Sequence, residues 1–109
     1  MAYDEQLAGR IRDLLGDDRS IVEKAMFGRR MFMTGGRLAI GVAGDELMVR
    51  VGPDGKGEAV AQPHARPCVM SGRPMADWVL VGSGGFETDP QLDAWLSRGL
   101  GFARTQVQA

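Results

Sequence analysis

Apolar and polar positions alternate with two different periods along this chain. Near its start, Tyr3, Leu7, Ile11, Leu14 and Leu15 recur at i, i+4, i+8, i+11 and i+12, with Asp4, Glu5, Arg10, Arg12 and Asp13 between them. This spacing predicts an amphipathic helix with one buried stripe. Gly16 suits its C-terminal end, and Asp17-Asp18 opens a polar connection. The period then shortens towards two. Residues 21–27, 30–34, 37–43 and 46–51 read as strands, broken by Gly28, Gly35-Gly36 and Gly44-Asp45. The last two breaks are two-residue connections of the kind that close type I′ or II′ hairpins.

Residues 52–55 (GPDG) are expected to stop the sheet. Residues 56–62 can form a short helix closed by Pro63, and 66–70 and 77–81 are expected strands flanking a turn at Ser71-Gly72-Arg73-Pro74. Residues 82–85 (GSGG) read as a flexible connection. A final helix starts at Thr88 or Asp89, with Pro90 in its first turn where a missing N–H costs nothing. Leu92, Trp95, Leu96, Gly99, Phe102 and Ala103 form its apolar stripe, and the polar tail after Arg104 is expected to fray. Short connections and hairpins favour an α+β fold of two layers, an antiparallel sheet with helices on one face.

Counting back from the two hairpin turns predicts the register. Met33 should face Leu38, Phe32 Ala39, Met31 Ile40 and Arg30 Gly41. In the second hairpin Ala43 should face Glu46, Val42 Leu47, Gly41 Met48 and Ile40 Val49. Alternation then sorts the side chains onto two faces. Met31, Met33, Leu38, Ile40, Val42, Leu47, Val49 and Val51 make the expected core face. Arg30, Phe32, Ala39, Gly41, Ala43, Met48 and Arg50 make the second. Arginines, an aromatic and a methionine over small floor residues have an interface composition. The plainer alternative is a half-covered face with arginine stems lying over Phe32.

Length and composition narrow the picture. A chain of 109 residues makes one domain, 1–109, with an ordered core of about 3–105. The net charge of −1 argues against a dedicated nucleic-acid binder. The charge is uneven, however: residues 24–50 hold five bases and two acids. Arg29, Arg30, Arg37 and Arg50 are therefore the candidates if nucleic acid is bound. The N-terminus lacks the basic and apolar regions of a signal peptide. No apolar run approaches the ~20 residues of a membrane helix. With one cysteine and no internal disulfide, a reducing, cytoplasmic setting is expected.

Candidate chemistry is sparse. His64 and Cys68 lie four apart, and a Cys–His nucleophile is the sharp reading. Pro67 opposes a helix between them, and no third residue is placed to orient the pair. A surface histidine and a cysteine packed as a small apolar group are the expectation. One Cys and one His cannot supply the four ligands of a zinc site, so no metal and no cofactor are expected. The glycines fit no phosphate loop or dinucleotide fingerprint. The internal methionines, Met26, Met31, Met33, Met48, Met70 and Met75, read as gap-filling core, except Met48 on the second face.

Four stretches carry a family likeness: MAYDEQLAGRIRDLL, EKAMFGRRMFMTGGRLAIGVAGDELMVRVG, ARPCVMSGRPMADWVLV and LDAWLSRGLGFAR. Together they resemble the TfoX N-terminal (Sxy-like) domain over nearly the whole chain. Met26-Phe27-Gly28, the Gly35-Gly36 hairpin, 47–51 and Gly72-Arg73-Pro74-Met75 are the most specific pieces, and Arg29 stands where relatives often show a second glycine. The resemblance implies the order α-β(3)-α-β(2)-α in a stand-alone short member. It also implies a link to regulation of natural competence, where the namesake proteins are described as acting with the cyclic-AMP receptor protein rather than by catalysis. It offers no catalytic residues.

The reading that follows is a non-enzymatic protein-binding or regulatory module using Arg30, Phe32, Met48 and Arg50. The partner is another protein or a second copy of the chain. Alanine at Phe32 and Arg50 is then expected to leave the fold intact and abolish association. The alternatives are nucleic-acid binding through the basic strands, and a small enzyme or ligand binder using His64, Cys68 or a pocket beside Trp78.

Overall fold

A computed structural model describes residues 3–26 and 28–107. Helix α1, Glu5–Leu15, is followed by strands β1, Ile21–Met26; β2, Arg29–Thr34; β3, Arg37–Ala43; and β4, Glu46–Arg50. Helix α2, Gly52–Val60, leads into β5, Ala65–Met70, and β6, Arg73–Val81. A 3₁₀ turn at Ser83–Gly85 precedes α3, Asp89–Val107. The helix, strands, helix, strands, helix order is present, and the first run of strands has four members. The expected strand 21–27 is the edge strand β1, and its Phe27 lies outside the described residues.

The local signals explain most boundaries. Asp4 caps α1 by accepting from the amides of Gln6 and Leu7. Thr88 and Gln91 bond reciprocally at the start of α3: Gln91 N donates to Thr88 Oγ1 and Thr88 N to Gln91 Oε1. α2 begins earlier than expected, at Gly52 rather than residue 56. Pro53 sits in its first turn, where no N–H is needed, so GPDG opens a helix instead of only ending the sheet. β6 likewise begins inside the expected turn, because Ser71 and Gly72 alone take positive φ (52° and 75°) and return the chain at Arg73. α3 continues past Arg104 to Val107.

The six strands form one antiparallel sheet in the order β1-β2-β3-β4-β6-β5. The helices cover one face. Leu7, Ala8 and Ile11 of α1, Ala59 of α2, and Leu92, Trp95, Leu96, Leu100 and Ala103 of α3 meet Phe32, Ile40, Val42, Leu47, Val49, Val79 and Val81.

The register of the second hairpin is the expected one. The first hairpin differs beyond Met33. Met33 faces Leu38, but Phe32 then faces Ile40, Met31 faces Gly41 and Arg30 faces Val42. Ala39 is an extra residue, a β-bulge in β3. One inserted residue exchanges the faces of everything beyond it. Phe32, expected on the second face, is therefore in the helix-covered core and only 1% exposed. Ala39 follows it there. Met31 and Leu38, expected in that core, are on the opposite face.

A glycine permits the bulge to pack. A Cβ on Gly99 of α3 would stand 2.6 Å from the Ala39 carbonyl oxygen and 2.5 Å from Ile40 Cδ1. The helix thus lies directly on the bulged backbone.

Candidate functional site

The sheet face away from the helices carries a second apolar cluster. Met31, Met48, Cys68, Trp78 and Leu80 are buried in it, and Met26, Leu38, Ala43, Met70 and Met75 are partly buried against it. A sheet face turned to water would not bury five side chains. Curvature does so here. Arg29 of β2 donates from Nη2 to the Sδ of Met70 of β5 at 3.1 Å, across a sheet in which β3, β4 and β6 lie between. The face is a concave cup.

At its centre lies a cavity of about 230 Å³ lined by Arg29, Met31, Leu38, Met48, Met70, Met75 and Trp78. The small floor residue Gly41 has a role in it. A Cβ there would meet Met31 Sδ at 2.6 Å and Met48 Sδ at 3.4 Å, so two of the protein's own thioethers rest on the bare backbone. The hairpin β5–β6 supplies the opposite wall. Its register breaks between Pro67 and Val69: Pro67 pairs with Val79, whereas Val69 pairs with Pro74. The extra length in β6 carries Met75 to Trp78 around Cys68. The Sγ of Cys68 is 3.9 Å from the Sδ of Met75, and Lys56 Nζ donates to the Met75 carbonyl at 3.0 Å. A wider hollow of about 480 Å³ lies beside the start of α1, but its lining is mostly polar: Asp4, Gln6, Arg10, Ser83 and Glu87 with Leu7 and Phe86.

The four expected partner-binding residues do not meet on one face. Met48 lines the cavity. Phe32 is core, for the reason given above. Arg30 sits on the helix side, its Nε 2.7 Å from Glu23 Oε2 and its guanidinium 5.5 Å from the Tyr3 ring centre. Arg50 reaches Asp77 at 3.5 Å and lies 5.4 Å from the Phe102 ring centre of α3. The four candidate nucleic-acid arginines are also dispersed. Arg29 faces the cup, Arg30 and Arg50 pair with carboxylates, and Arg37 is exposed at the first hairpin.

His64 and Cys68 are separated as well. His64 is exposed, with positive φ (67°), and its ring packs against Gly84. Cys68 is fully buried four residues along β5, roughly 13 Å away at about 3.3 Å per residue. Burial pushes its thiol above the usual 9.0, outweighing the nearby charges of Arg29, Lys56 and Arg66. Among the described residues, no three His, Cys, Asp or Glu side chains group so that they could hold a metal ion. No described helix is long and apolar enough to cross a membrane.

The sequence profile of the TfoX N-terminal domain family matches residues 13–103. The chain belongs to this family. The matched span runs from the second half of α1 into α3, so it contains the whole sheet and every residue of the cup. No curated protein and no solved structure matches the chain.

A pocket beside Trp78 entered the sequence reading only as one alternative, for a small enzyme or ligand binder; Trp78 lines the cavity. That reading missed Leu38 and Met31 because the bulge reversed them, and Met70 and Met75 because the irregular β5–β6 pairing has no turn residue to announce it. Methionine frequency was the available signal: four of the six internal methionines line this cavity.

Proposed function

We propose that this TfoX N-terminal domain is a non-enzymatic regulatory module that seats part of another protein in the concave, methionine-lined cup. The observation that carries the reading is the cavity itself. At about 230 Å³ it exceeds the ~150 Å³ that holds a benzene ring and falls below the ~300 Å³ at which drug-sized pockets begin. An aromatic or large aliphatic side chain is the natural occupant. Methionines are unbranched and polarizable, and they suit surfaces that must adapt to the side chain they receive.

The family favours regulation, including competence-related regulation, over catalysis. The burial of Cys68 and its raised thiol pKa support the same side. So does the lack of an acid, base or nucleophile among the cavity-lining residues. The lone free cysteine suits a reducing cytoplasm.

The test is comparative co-purification with tagged wild type, Met75→Glu in the cup, and Arg98→Glu on α3 as a control. A bound protein should be retained by wild type and Arg98→Glu and lost from Met75→Glu, with all three folded by circular dichroism. Equal recovery by all three variants would remove the cup as the working surface. Sedimentation of the same proteins shows whether the partner is a second copy.

A further inference from the structure

Five arginines of this chain are half-buried. Four of them face a carboxylate: Arg10 with Asp89, Arg30 with Glu23, Arg50 with Asp77 and Arg98 with Glu58. The fifth is Arg29. Among the described residues no carboxylate lies within ion-pair distance of it. Its guanidinium instead donates to the Met70 thioether, a weak acceptor. A cation partly withdrawn from water and given no counter-ion is unfavourable, and Arg29 sits at the wall of an otherwise apolar cavity. The planar guanidinium fork retains donors that match a carboxylate bidentately.

We propose that the segment seated in the cup couples a bulky apolar side chain to a carboxylate, with the side chain in the cavity and the carboxylate on Arg29. This rests on the reading of the cup as a protein-binding surface and names the chemistry of the partner: an acidic peptide segment with one large apolar anchor. Charge complementarity selects it. Lys56, hydrogen-bonded to the Met75 carbonyl at the opposite wall, adds a second positive charge nearby, while Glu46, whose charge also reaches Cys68, is already paired with Arg66.

Peptides provide the test. A random heptapeptide library is selected on the immobilised full chain and, in parallel, on Arg29→Gln. Wild type should enrich Phe, Trp, Leu or Met next to Asp or Glu, and Arg29→Gln should enrich the apolar residue without the acid. The best wild-type peptide should shift the methyl resonances of Met31, Met48, Met70 and Met75 in ¹³C-methyl-methionine spectra and spare Met33. Changing its acid to the amide should weaken binding to wild type about tenfold or more, and should change little for Arg29→Gln. Arg29→Lys, which keeps the charge and loses the fork, should fall between.

Enrichment of apolar residues without an acid on wild type overturns the carboxylate and leaves the cup standing. No enrichment, or methyl shifts elsewhere, overturns both. Tighter binding of free 3-phenylpropionate than of the selected peptide makes the site one for a small acid and overturns the partner segment.

Discussion

Arg29 Nη2 lies 3.1 Å from Met70 Sδ although their strands are four positions apart in the sheet. On a flat sheet four spacings of about 4.8 Å would part the backbones by roughly 19 Å. The contact therefore reports the curl that turns one sheet face into a cup. It does not supply the energy of the curl, because the thioether sulfur that accepts the hydrogen bond from the half-buried Arg29 guanidinium is a weak acceptor. Arg29→Gln is expected to change stability in urea by no more than about 0.5 kcal/mol. A loss above about 2 kcal/mol would mean that this contact holds the sheet closed.

Phe32 is one of the largest fully buried side chains of the helix-covered core. Phe32→Ala should cost about 3–5 kcal/mol, from lost transfer energy and the cavity left behind. That is a large share of the ~5–15 kcal/mol that holds a small domain together. Denaturant midpoints of the purified variant measure it. A stable Phe32→Ala protein with altered association would restore the face assignment expected from unbroken alternation.

The elements were legible because their signals are local: helical spacing in α1, the Gly35-Gly36 and Gly44-Asp45 hairpins, and the Thr88 cap. Arg37–Ala43 contains nothing that announces the bulge at Ala39. A bulge of this kind needs no positive φ at its extra residue, so no glycine or asparagine marks it. Its cause is tertiary, since Gly99 lets α3 lie on the bulged carbonyl. The cup was legible only in small part. Met48 and Trp78 are two of its seven lining residues, whereas Arg29 was visible only as one basic residue among several.

Gly99 and Gly101 occupy the same helix and should respond to alanine in opposite directions. Alanine normally favours a helix over glycine by about 1 kcal/mol. At Gly101 nothing lies within 4 Å of the new methyl, so Gly101→Ala should stabilise by about 0.5–1 kcal/mol. At Gly99 the methyl meets backbone, which cannot swing aside, so Gly99→Ala should destabilise by about 1–3 kcal/mol despite its propensity gain. Thermal melts of the two variants decide it, and two shifts of the same sign would contradict the close approach of α3 to β3.

Cys68 should behave as an inert core residue. The reactive species is the thiolate, and burial holds the thiol protonated above 9.0. Iodoacetamide at pH 7.5 should modify the native protein at least about 100-fold more slowly than free cysteine, with full reactivity recovered in urea. Native labelling as fast as that of the free amino acid would reopen a nucleophilic role.

Glu23 ties three elements together, and its charge gives the fold an acid limit. Arg12 of α1 donates to both of its oxygens, at 2.8 and 2.6 Å, and Arg30 of β2 lies 2.7 Å away. The Arg12 hydrogen bonds, followed by the charges of Arg12 and Arg30, hold the Glu23 carboxyl below its ordinary 4.5 against the opposing effect of partial burial. A carboxyl whose folded pKa is depressed binds fewer protons in the native state than in the unfolded one. Its contribution is therefore complete above the unfolded pKa and is lost as pH falls through the folded pKa. Half-exposed Arg12 limits the contribution to about 1 kcal/mol or less. Urea titrations should show Glu23→Gln less stable than wild type at pH 7, and the gap should shrink as pH drops below about 4.5. A gap that stays constant down to pH 2 would mean that Glu23 acts through packing rather than through its charge.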